Sequence, residues 1–468
     1  MADLFALLVQ SGNSLGAHSA ALATAGHNIA NANTPGFSRQ VANLSANAAI
    51  GSLGSQAVGM GVSLDAITRQ RDAFVERQLP QALGAQSFSQ TENAALQSIT
   101  ALNPDLDGGL GSALAAFYSS LRVLSQNAGD TAARQGVTGS SERLARSFNQ
   151  TVGAIEASRT GLDSQLLGQV DKVNASMRAL ADLNVQIQVL RSNGGAANDL
   201  LDQRQAAVEA LSQLTGATPY TNNAGDISMA LPGGTVLVSD GRPATFSAVG
   251  DSTNLGHLKL QIVRTDGSGP VDIASSVMGG EMGGVLAARD GAMKAAVTAL
   301  DTLAFDMATA VNTVHQAGYA MDGTGPRDLF TIPVSSAGAA TQIGVNAAIV
   351  ADPRLFAAAT TLPAASGDNR NVMALIATER QMLAGGNDPI VSFQKIVTGF
   401  GNATSQAKAM ADHDGAMATH LRKLRDATSG VSLDEEMINL TKAQKAYEAM
   451  AKVIATADQM LETLMSLK

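Results

Sequence analysis

Residues 4–40 read LFALLVQSGNSLGAHSAALATAGHNIANANTPGFSRQ, and apolar side chains in this segment recur at intervals of seven. Heptad spacing places one apolar stripe on a single face of an α-helix. We therefore predict one long amphipathic helix over about 4–31, ending at Asn33-Thr34-Pro35-Gly36. Proline fixes φ at the first centre of a turn and glycine accepts a positive φ at the second, which indicates a type II turn. The stripe consists of Leu8, Leu15, Leu22 and Ile29.

The last helical segment of the chain repeats this pattern beyond an interruption at Ser429-Gly430. A companion stripe contains Ala443, Met450, Ala457 and Leu464. Because an amphipathic helix cannot bury its apolar stripe by itself, the two end helices must pair with each other, with neighbouring chains, or with both. We call the leucine-rich stripes of the two end helices the assembly seam. Its C-terminal half is Leu433, Leu440, Tyr447, Ile454 and Leu461.

The middle of the chain is predicted to be helical apart from one insert. Helical spacing covers about 86–103, 110–127 and 130–192, with Asp130 as the N-cap of the last helix. Between 217 and 276 the apolar period falls to two, which is typical of β-strands, and helical spacing resumes after Gly279-Gly280. Residues 37–80 are mixed and rich in glycine, which indicates a loop with short extended pieces.

These patterns predict a mainly α chain with a small β domain inserted in it. The expected organisation has a terminal helical coiled-coil domain of residues 1–40 and 430–468, and a long-helix bundle of residues 41–216 and 277–429. The inserted β domain covers residues 217–276. The helix over 130–192 would be about 90 Å long at roughly 1.5 Å per residue, which a compact domain rarely holds.

Composition narrows the possible partners. A net charge of −9 leaves no surplus of positive charge to follow a phosphate backbone, so we predict no nucleic-acid binding. With no Cys, the chain has no disulfide, thiolate nucleophile or thiolate zinc site. No Lys or Arg precedes Arg39, so a cleavable secretory signal is not expected. The apolar run from Leu4 to Val9 is far shorter than the ~20 residues that cross a bilayer, so no membrane span is predicted.

Three groups of residues could carry chemistry, and each has a simpler interpretation. Residues 12–16 match the GxSxG nucleophile elbow at Ser14, but the segment lies inside a predicted helix rather than on a strand-turn-helix corner. The polar residues between Asp412 and His420 lack a completed ligand set for a metal. Asp434-Glu435-Glu436 fits the acidic first turn of a helix. We therefore predict no catalytic, cofactor-binding or metal site, with a Ser14 hydrolase and a cytosolic coiled-coil scaffold as rival hypotheses.

Specific residues resemble a known family. The segment from Ala30 to Gln40 is similar to the N-terminal signature of bacterial flagellar axial proteins, and its Gly-Phe-Ser-Arg-Gln ending resembles the hook-associated members. Interior segments such as GEMGGVLAARD at 280–290 and VNTVHQAGY at 311–319 resemble the hook-associated protein 1 family, which forms the hook-filament junction. The C-terminal segments SGVSLDEE and ADQML are shared with rod and hook proteins. The N-terminal motif residues are Asn33, Pro35, Gly36, Phe37, Arg39 and Gln40.

This resemblance implies a non-enzymatic structural subunit of the bacterial flagellum with an elongated architecture and paired terminal helices. It implies export through the flagellar type III apparatus, an extracellular location at the junction, and self-assembly into a helical array through the terminal helices. The implied partners are further copies of the chain, the hook protein, the next hook-associated junction protein on the filament side, and a cytosolic export chaperone on residues 433–467. A hook or rod subunit is the alternative function.

Overall fold

The computed structural model describes residues 2–48, 52–53, 56–57, 59–102, 108–221, 226–362 and 367–466. Residue 103 of the predicted 86–103 helix, four residues of the predicted β domain and Leu467 of the implied chaperone segment lie outside these residues. The predicted helix itself ends earlier, at Gln97. The chain is mainly helical, as predicted, with small antiparallel sheets between the helices. The helices are α1 Ala2–Asn31, α2 Ala73–Gln97, α3 Leu110–Gln126, α4 Thr131–Ser192, α5 Asn198–Thr215, α6 Gly280–Ala287, α7 Lys294–Gln316, α8 Ala339–Gln342, α9 Ala347–Ala351, α10 Arg370–Ala377, α11 Pro389–Ser429 and α12 Leu433–Ser466.

The strands are short and gather into separate sheets. β1 pairs with β4, β2 with β3 and β12 with β13, while β5-β6-β7-β8 and β11-β10-β9 form the two larger sheets. The strands are β1 Gln40–Ala46, β2 Ser52–Leu53, β3 Gln56–Ala57, β4 Val62–Arg69, β5 Thr218–Thr221, β6 Ile227–Ala230, β7 Val236–Ser239, β8 Arg242–Pro243, β9 Thr245–Gly250, β10 Leu258–Val263, β11 Val271–Ile273, β12 Phe330–Thr331 and β13 Gly344–Val345.

The longest helix, α4, confirms the prediction for 130–192. The Asp130 side chain caps it by accepting a hydrogen bond from the Ala132 backbone N–H at 2.8 Å. The helix holds 62 residues, and its apolar repeat at Leu166, Val173 and Leu180 is fully buried. Helix α4 is therefore the spine on which α3, α5 and both larger sheets pack.

The two larger sheets lie along α4 and share its core. Leu237, Phe246 and Leu260 are buried in the same apolar cluster as the α4 repeat. Asn174 of α4 also fixes β9, because its side chain donates to the Phe246 carbonyl at 2.9 Å and accepts from the Phe246 N–H at 2.8 Å. The inserted strands therefore pack against the side of α4 and are held there by these hydrogen bonds.

Helix α2 corrects the prediction for residues 37–80. It begins at Ala73, well before the expected start at Gln86, and Asp72 caps it by accepting from the backbone N–H groups of Phe74 and Val75. Pro80 inside the helix masks the helical signal, since proline usually marks a helix break. The extended pieces expected before it are present as β1 and β4, which pair from Gln40↔Arg69 onward.

A buried ionic cluster joins α4 to the inserted strands. Both ring nitrogens of His257 lie near α4 carboxylates, at 2.6 Å from Asp163 Oδ2 and 3.0 Å from Glu156 Oε2. Arg289 is 1% exposed and pairs with Asp163 from a π-helical segment, Ala288–Met293, that connects α6 to α7. Arg159 of α4 donates to the Arg289 carbonyl at 3.1 Å. The loop before β10 is therefore held by charge-assisted hydrogen bonds rather than by apolar contacts alone.

Helices α6 and α2 cross at Gly284, which gives a first testable prediction. A Cβ placed on Gly284 would lie 2.9 Å from Thr91 Cβ and still closer to the Phe88 carbonyl oxygen, so neither backbone can accommodate a methyl group without moving. We expect Gly284→Ala to lower the free energy of unfolding by about 1–3 kcal/mol in urea titrations. Gly168→Ala on α4 is the matched control, because nothing lies within 4 Å of its Cβ position and alanine favours helix there. Equal stability of the two variants would contradict this interpretation of the crossing.

A second prediction concerns His315, which fastens the segment after α7. The ring is fully buried, its Nδ1–H donates to the Arg327 carbonyl at 2.7 Å, and its Nε2 accepts from the Ala357 N–H at 3.0 Å. Burial lowers the pKa of His315 from 6.5 to about 4. Between these values the unfolded chain binds more protons, so the contribution of His315 is complete above pH 6.5 and is lost as the pH falls towards 4.

We expect this loss to reach about 3 kcal/mol at pH 4. Urea unfolding of wild type and of His315→Gln across this range measures it, because the variant lacks the titrating ring and should show a shallower pH dependence. The exposed His420 gives the control His420→Gln, which should keep the wild-type slope. Parallel pH profiles for wild type and His315→Gln would refute the assignment.

Candidate assembly site at the terminal helices

The first and last helices of the chain, α1 and α12, pack along each other, and α1 also packs on β1 and β4. The side chains that are fully buried on these helices are mostly small or polar rather than leucines. On α12 they include Ala443 and Ala457 of the companion stripe. Small side chains let two helix backbones approach closely, so the companion stripe rather than the leucine stripe is the more buried part of α12. The buried residues of α1 are Ser11, Ser14, Ala17, Thr24, Ala25 and Asn28.

The assembly seam itself is only partly covered within one chain. Leu433 is 49% exposed and Tyr447 is 39% exposed. Further apolar side chains on the same two helices are open to solvent, including Phe5 at 67% and Met465 at 76%. The end helices therefore pair with each other but retain uncovered apolar surface, and the role of the seam in assembly stays a prediction. The remaining seam residues, Leu8, Leu15, Leu22, Ile29, Leu440, Ile454 and Leu461, are half-buried.

A buried carboxylate in α12 links this helix to α1 and to the segment that follows α1. Glu436, in the first turn of α12, is 3% exposed and accepts from Arg39 Nε at 2.7 Å. Its second oxygen accepts from Asn28 Nδ2 of α1 at 3.0 Å. The backbone N–H of Arg39 also donates to the Ser429 carbonyl, the last residue of α11, at 2.9 Å. The motif arginine thus contacts both sides of the break between α11 and α12.

Asn28 and Gln40 form a second link beside Glu436. The Asn28 amide accepts from the Gln40 N–H at 3.0 Å and donates to the Gln40 carbonyl at 2.8 Å. A side-chain amide here takes the place of a neighbouring β-strand for the first residue of β1. The direction in which the chain leaves α1 is fixed by these bonds together with the turn that precedes them.

Two aspartates near the start of α5 complete the site. Asp199 accepts from Gln40 Nε2 at 2.8 Å, and Asp202 accepts from the Ser38 N–H at 3.0 Å. Arg69 of β4 donates to the other oxygen of Asp202 at 2.6 Å. Because α5 follows α4 in the chain, these bonds fasten the terminal helices to the long-helix bundle. We call the contacts of Asn28, Ser38, Arg39, Gln40, Arg69, Asp199, Asp202 and Glu436 the terminal junction.

The remaining motif residues form the turn before the terminal junction. Gly36 has φ of +80°, and the Phe37 N–H donates to the Thr34 carbonyl at 3.2 Å, which confirms the predicted type II turn. Phe37 packs edge-on against His27 of α1, with ring centroids 5.4 Å apart. Asn33 and Pro35 are exposed. The turn reverses the chain after the C-terminal end of α1 and places Arg39 beside Glu436.

Sequence reasoning identified Arg39 and Gln40 only by resemblance and missed their partners. Asn28 and Asp199 gave no signal, since each is a single polar residue in a helix. The acidic group 434–436 does lie in the first turn of α12, as predicted. The buried position of Glu436 has one sequence correlate, since it lies seven residues before the buried Ala443 on the companion stripe.

The other residues that were considered for chemistry have a structural role or no identified role. The GxSxG match lies within the continuous helix α1, where the Ser14 hydroxyl accepts from the Val62 N–H at 3.2 Å. His413 and His420 lie exposed on α11, and among the described residues no group of three or more His, Asp or Glu side chains has an arrangement that could hold a metal ion. In the described part of the chain, no helix combines the length and apolar character needed to cross a bilayer.

Comparisons with known proteins find likenesses along the chain. A model for the helical domain of flagellar hook-associated protein FlgK matches residues 96–330. Two models of flagellar rod proteins match only the ends: a basal body rod protein model at residues 11–37, and the C-terminal model of the FlgEFG rod proteins at 426–467. The rod-type matches thus fall on the terminal helices, and the FlgK match falls on the bundle and the inserted strands.

Full-length relatives show the same likeness. The chain is 28% identical over 504 residues to flagellar hook-associated protein 1 of Bacillus subtilis, covering 100% of this chain and 99% of the relative. It is 26% identical over 545 residues to the protein of the same name from Salmonella typhimurium, covering 97% and 98%. The solved structure of the flagellar hook junction protein FlgK from Burkholderia pseudomallei matches with a TM-score of 0.68 at 18% identity, covering 75% of this chain and all of that one.

Proposed function

The chain belongs to the FlgK family of flagellar hook-associated proteins, and from this premise we propose how it works. It is a structural subunit at the junction between hook and filament, and its paired terminal helices hold it in the assembly. A hook or rod subunit is not favoured, because the rod-type likeness is confined to the chain ends while the FlgK likeness covers the bundle.

The observation that carries this proposal is the uncovered apolar surface on α1 and α12. Exposed side chains such as Phe5, Leu433 and Met465 lie on helices that are already paired with each other. Several large apolar side chains exposed on the same two helices are typical of protein–protein contact sites. Neighbouring copies of the chain, the hook protein and the next hook-associated junction protein are the partners we infer for it.

We also infer export before assembly, in line with the family resemblance. Helix α12 would present its apolar side chains to the cytosol until assembly, and a cytosolic chaperone on residues 433–467 would cover them. We infer that the chain leaves through the flagellar type III apparatus and functions outside the cell. The absence of cysteine suits a chain that must travel between redox compartments.

Labelling the protein in intact flagella tests this function. Val334 is fully exposed and the chain has no native Cys, so Val334→Cys provides a single thiol for a maleimide dye. We expect one fluorescent spot at the distal end of each hook. Dye along the hook or within the basal body would support the hook or rod alternative instead. A protein that stays in the cytosol of flagellated cells would support the scaffold hypothesis.

A further inference from the structure

Helix α11 carries a covered apolar face and, along the edge of that face, an apolar stripe that is partly open. The covered face packs on Leu79 and Leu83 of α2 through Ala418 and Leu421. The stripe consists of residues spaced by seven, and its C-terminal part is open: Met410 is 50% exposed, Met417 46% and Leu424 41%. This spacing is that of a helix seam, so the stripe is shaped to receive another helix.

The open stripe continues into a groove on the same helix. Ala403 and Ile396 precede Met410 by seven and fourteen residues, and they line a cavity of about 420 Å³ between α7 and α11. The α7 side of this groove is built from alanines. We call Ile396, Ala403, Met410, Met417 and Leu424 the α11 track. The first part of the track is flanked by α7, and the part that continues to Leu424 is half-exposed. The whole track is roughly 42 Å long.

The size of the track indicates how it is used. The open part from Met410 to Leu424 is about 21 Å long and about 10 Å wide, so it offers on the order of 200 Å². A stable interface usually buries about 800 Å² per partner. The track therefore cannot hold a partner alone and must act beside a larger contact that has already brought the two molecules together.

The charge of α11 indicates which molecule binds the track. Helix α11 carries five Lys and Arg residues and three Asp residues, a net charge of +2, whereas the whole chain has −9. The rest of the chain is therefore strongly acidic, and another copy would be attracted to α11. We propose that the α11 track binds a helix of a neighbouring copy of this chain. This inference rests on the proposed function, because the terminal helices supply the larger contact between copies.

Cross-linking from the track tests the proposal in assembled flagella. A photoreactive amino acid in place of Met417 should, on irradiation, give a covalent product of two copies of the 47.7 kDa chain, identified by mass spectrometry. The same group in place of Thr419, an exposed residue on the opposite side of α11, should give little of this product. A cross-link from position 417 to a different protein, or none to a second copy, would overturn the proposal.

Charge substitution provides the second measurement. Met410→Glu with Met417→Glu should reduce the amount of the chain recovered in sheared flagella by about tenfold or more, since each ~1.4 kcal/mol of lost binding is tenfold. Ser405→Glu with Thr419→Glu adds the same charge on the outer side of α11 and should leave recovery unchanged. Matching thermal unfolding of all variants excludes misfolding as the cause. Normal recovery of the Met410/Met417 variant at the hook tip would overturn the α11 proposal while leaving the proposed function intact, whereas mislocalised wild type would overturn the function.

Discussion

Replacing Arg39 with Met will loosen α12 from the rest of the chain by about 3–5 kcal/mol, the usual cost of removing one partner of a buried ion pair. Glu436 is 3% exposed, so its carboxylate stays buried with only the Asn28 amide as a described hydrogen-bond partner. Hydrogen exchange reports the effect directly. Amide protons near Ala443 should exchange roughly a hundredfold faster or more in Arg39→Met than in wild type.

The matched control removes both charges. In Arg39→Met with Glu436→Met, no carboxylate is left unpaired, and apolar replacement of a buried pair is often close to neutral. We expect the double variant to recover most of the protection that the single variant loses. If the double variant exchanges as fast as Arg39→Met alone, the Arg39–Glu436 pair does not hold the terminal junction.

A charge in the assembly seam should abolish incorporation into the flagellum. Leu22 and Ile454 are half-buried within one chain, and the proposed function places them against neighbouring helices in the assembly. Burying an unpaired carboxylate there costs several kcal/mol at each site, repeated in every copy. Leu22→Asp or Ile454→Asp should therefore leave cells with hooks but few filaments, counted by electron microscopy.

Two controls carry the same charge away from the seam. Asn13 is exposed and lies about half a helical turn from Leu22 around α1, and Thr456 is exposed on α12. Asn13→Asp and Thr456→Asp should support normal filaments. The middle of the chain should unfold at the wild-type temperature in every variant, because its core does not include α1 or α12. Normal motility with Leu22→Asp and Ile454→Asp combined would contradict the role of the seam.

Local signals predicted much of the fold. The heptad repeats located α1, α4 and α12, Asp130 marked the start of α4, and the Pro35-Gly36 pair located the turn after α1. Each of these features depends on residues within a few turns of one another. Period and capping therefore predict them without knowledge of the fold.

Contacts between distant residues could not be predicted in this way. Asn28 and Glu436 meet although 408 residues separate them, and nothing local to Asn28 marks it as a partner. Helix α2 was predicted to start too late because Pro80 dominates the local signal, while burial of Leu79 and Leu83 stabilises the helix across it. The charges around His257 and Arg289 belong to three separate parts of the chain. These charged side chains come together only when the three parts of the chain pack against one another.

The clamped loop between β9 and β10 has a practical consequence. Because Asp163 and Glu156 hold His257 beside the first residue of β10, this end of the sheet is anchored to α4 independently of the opposite end. The turn between β10 and β11 runs through Asp266 and Gly267, and both residues are exposed. Exposed turns tolerate added residues best. A peptide tag or an epitope inserted at Gly267 should thus be displayed without disturbing α4 or the paired terminal helices.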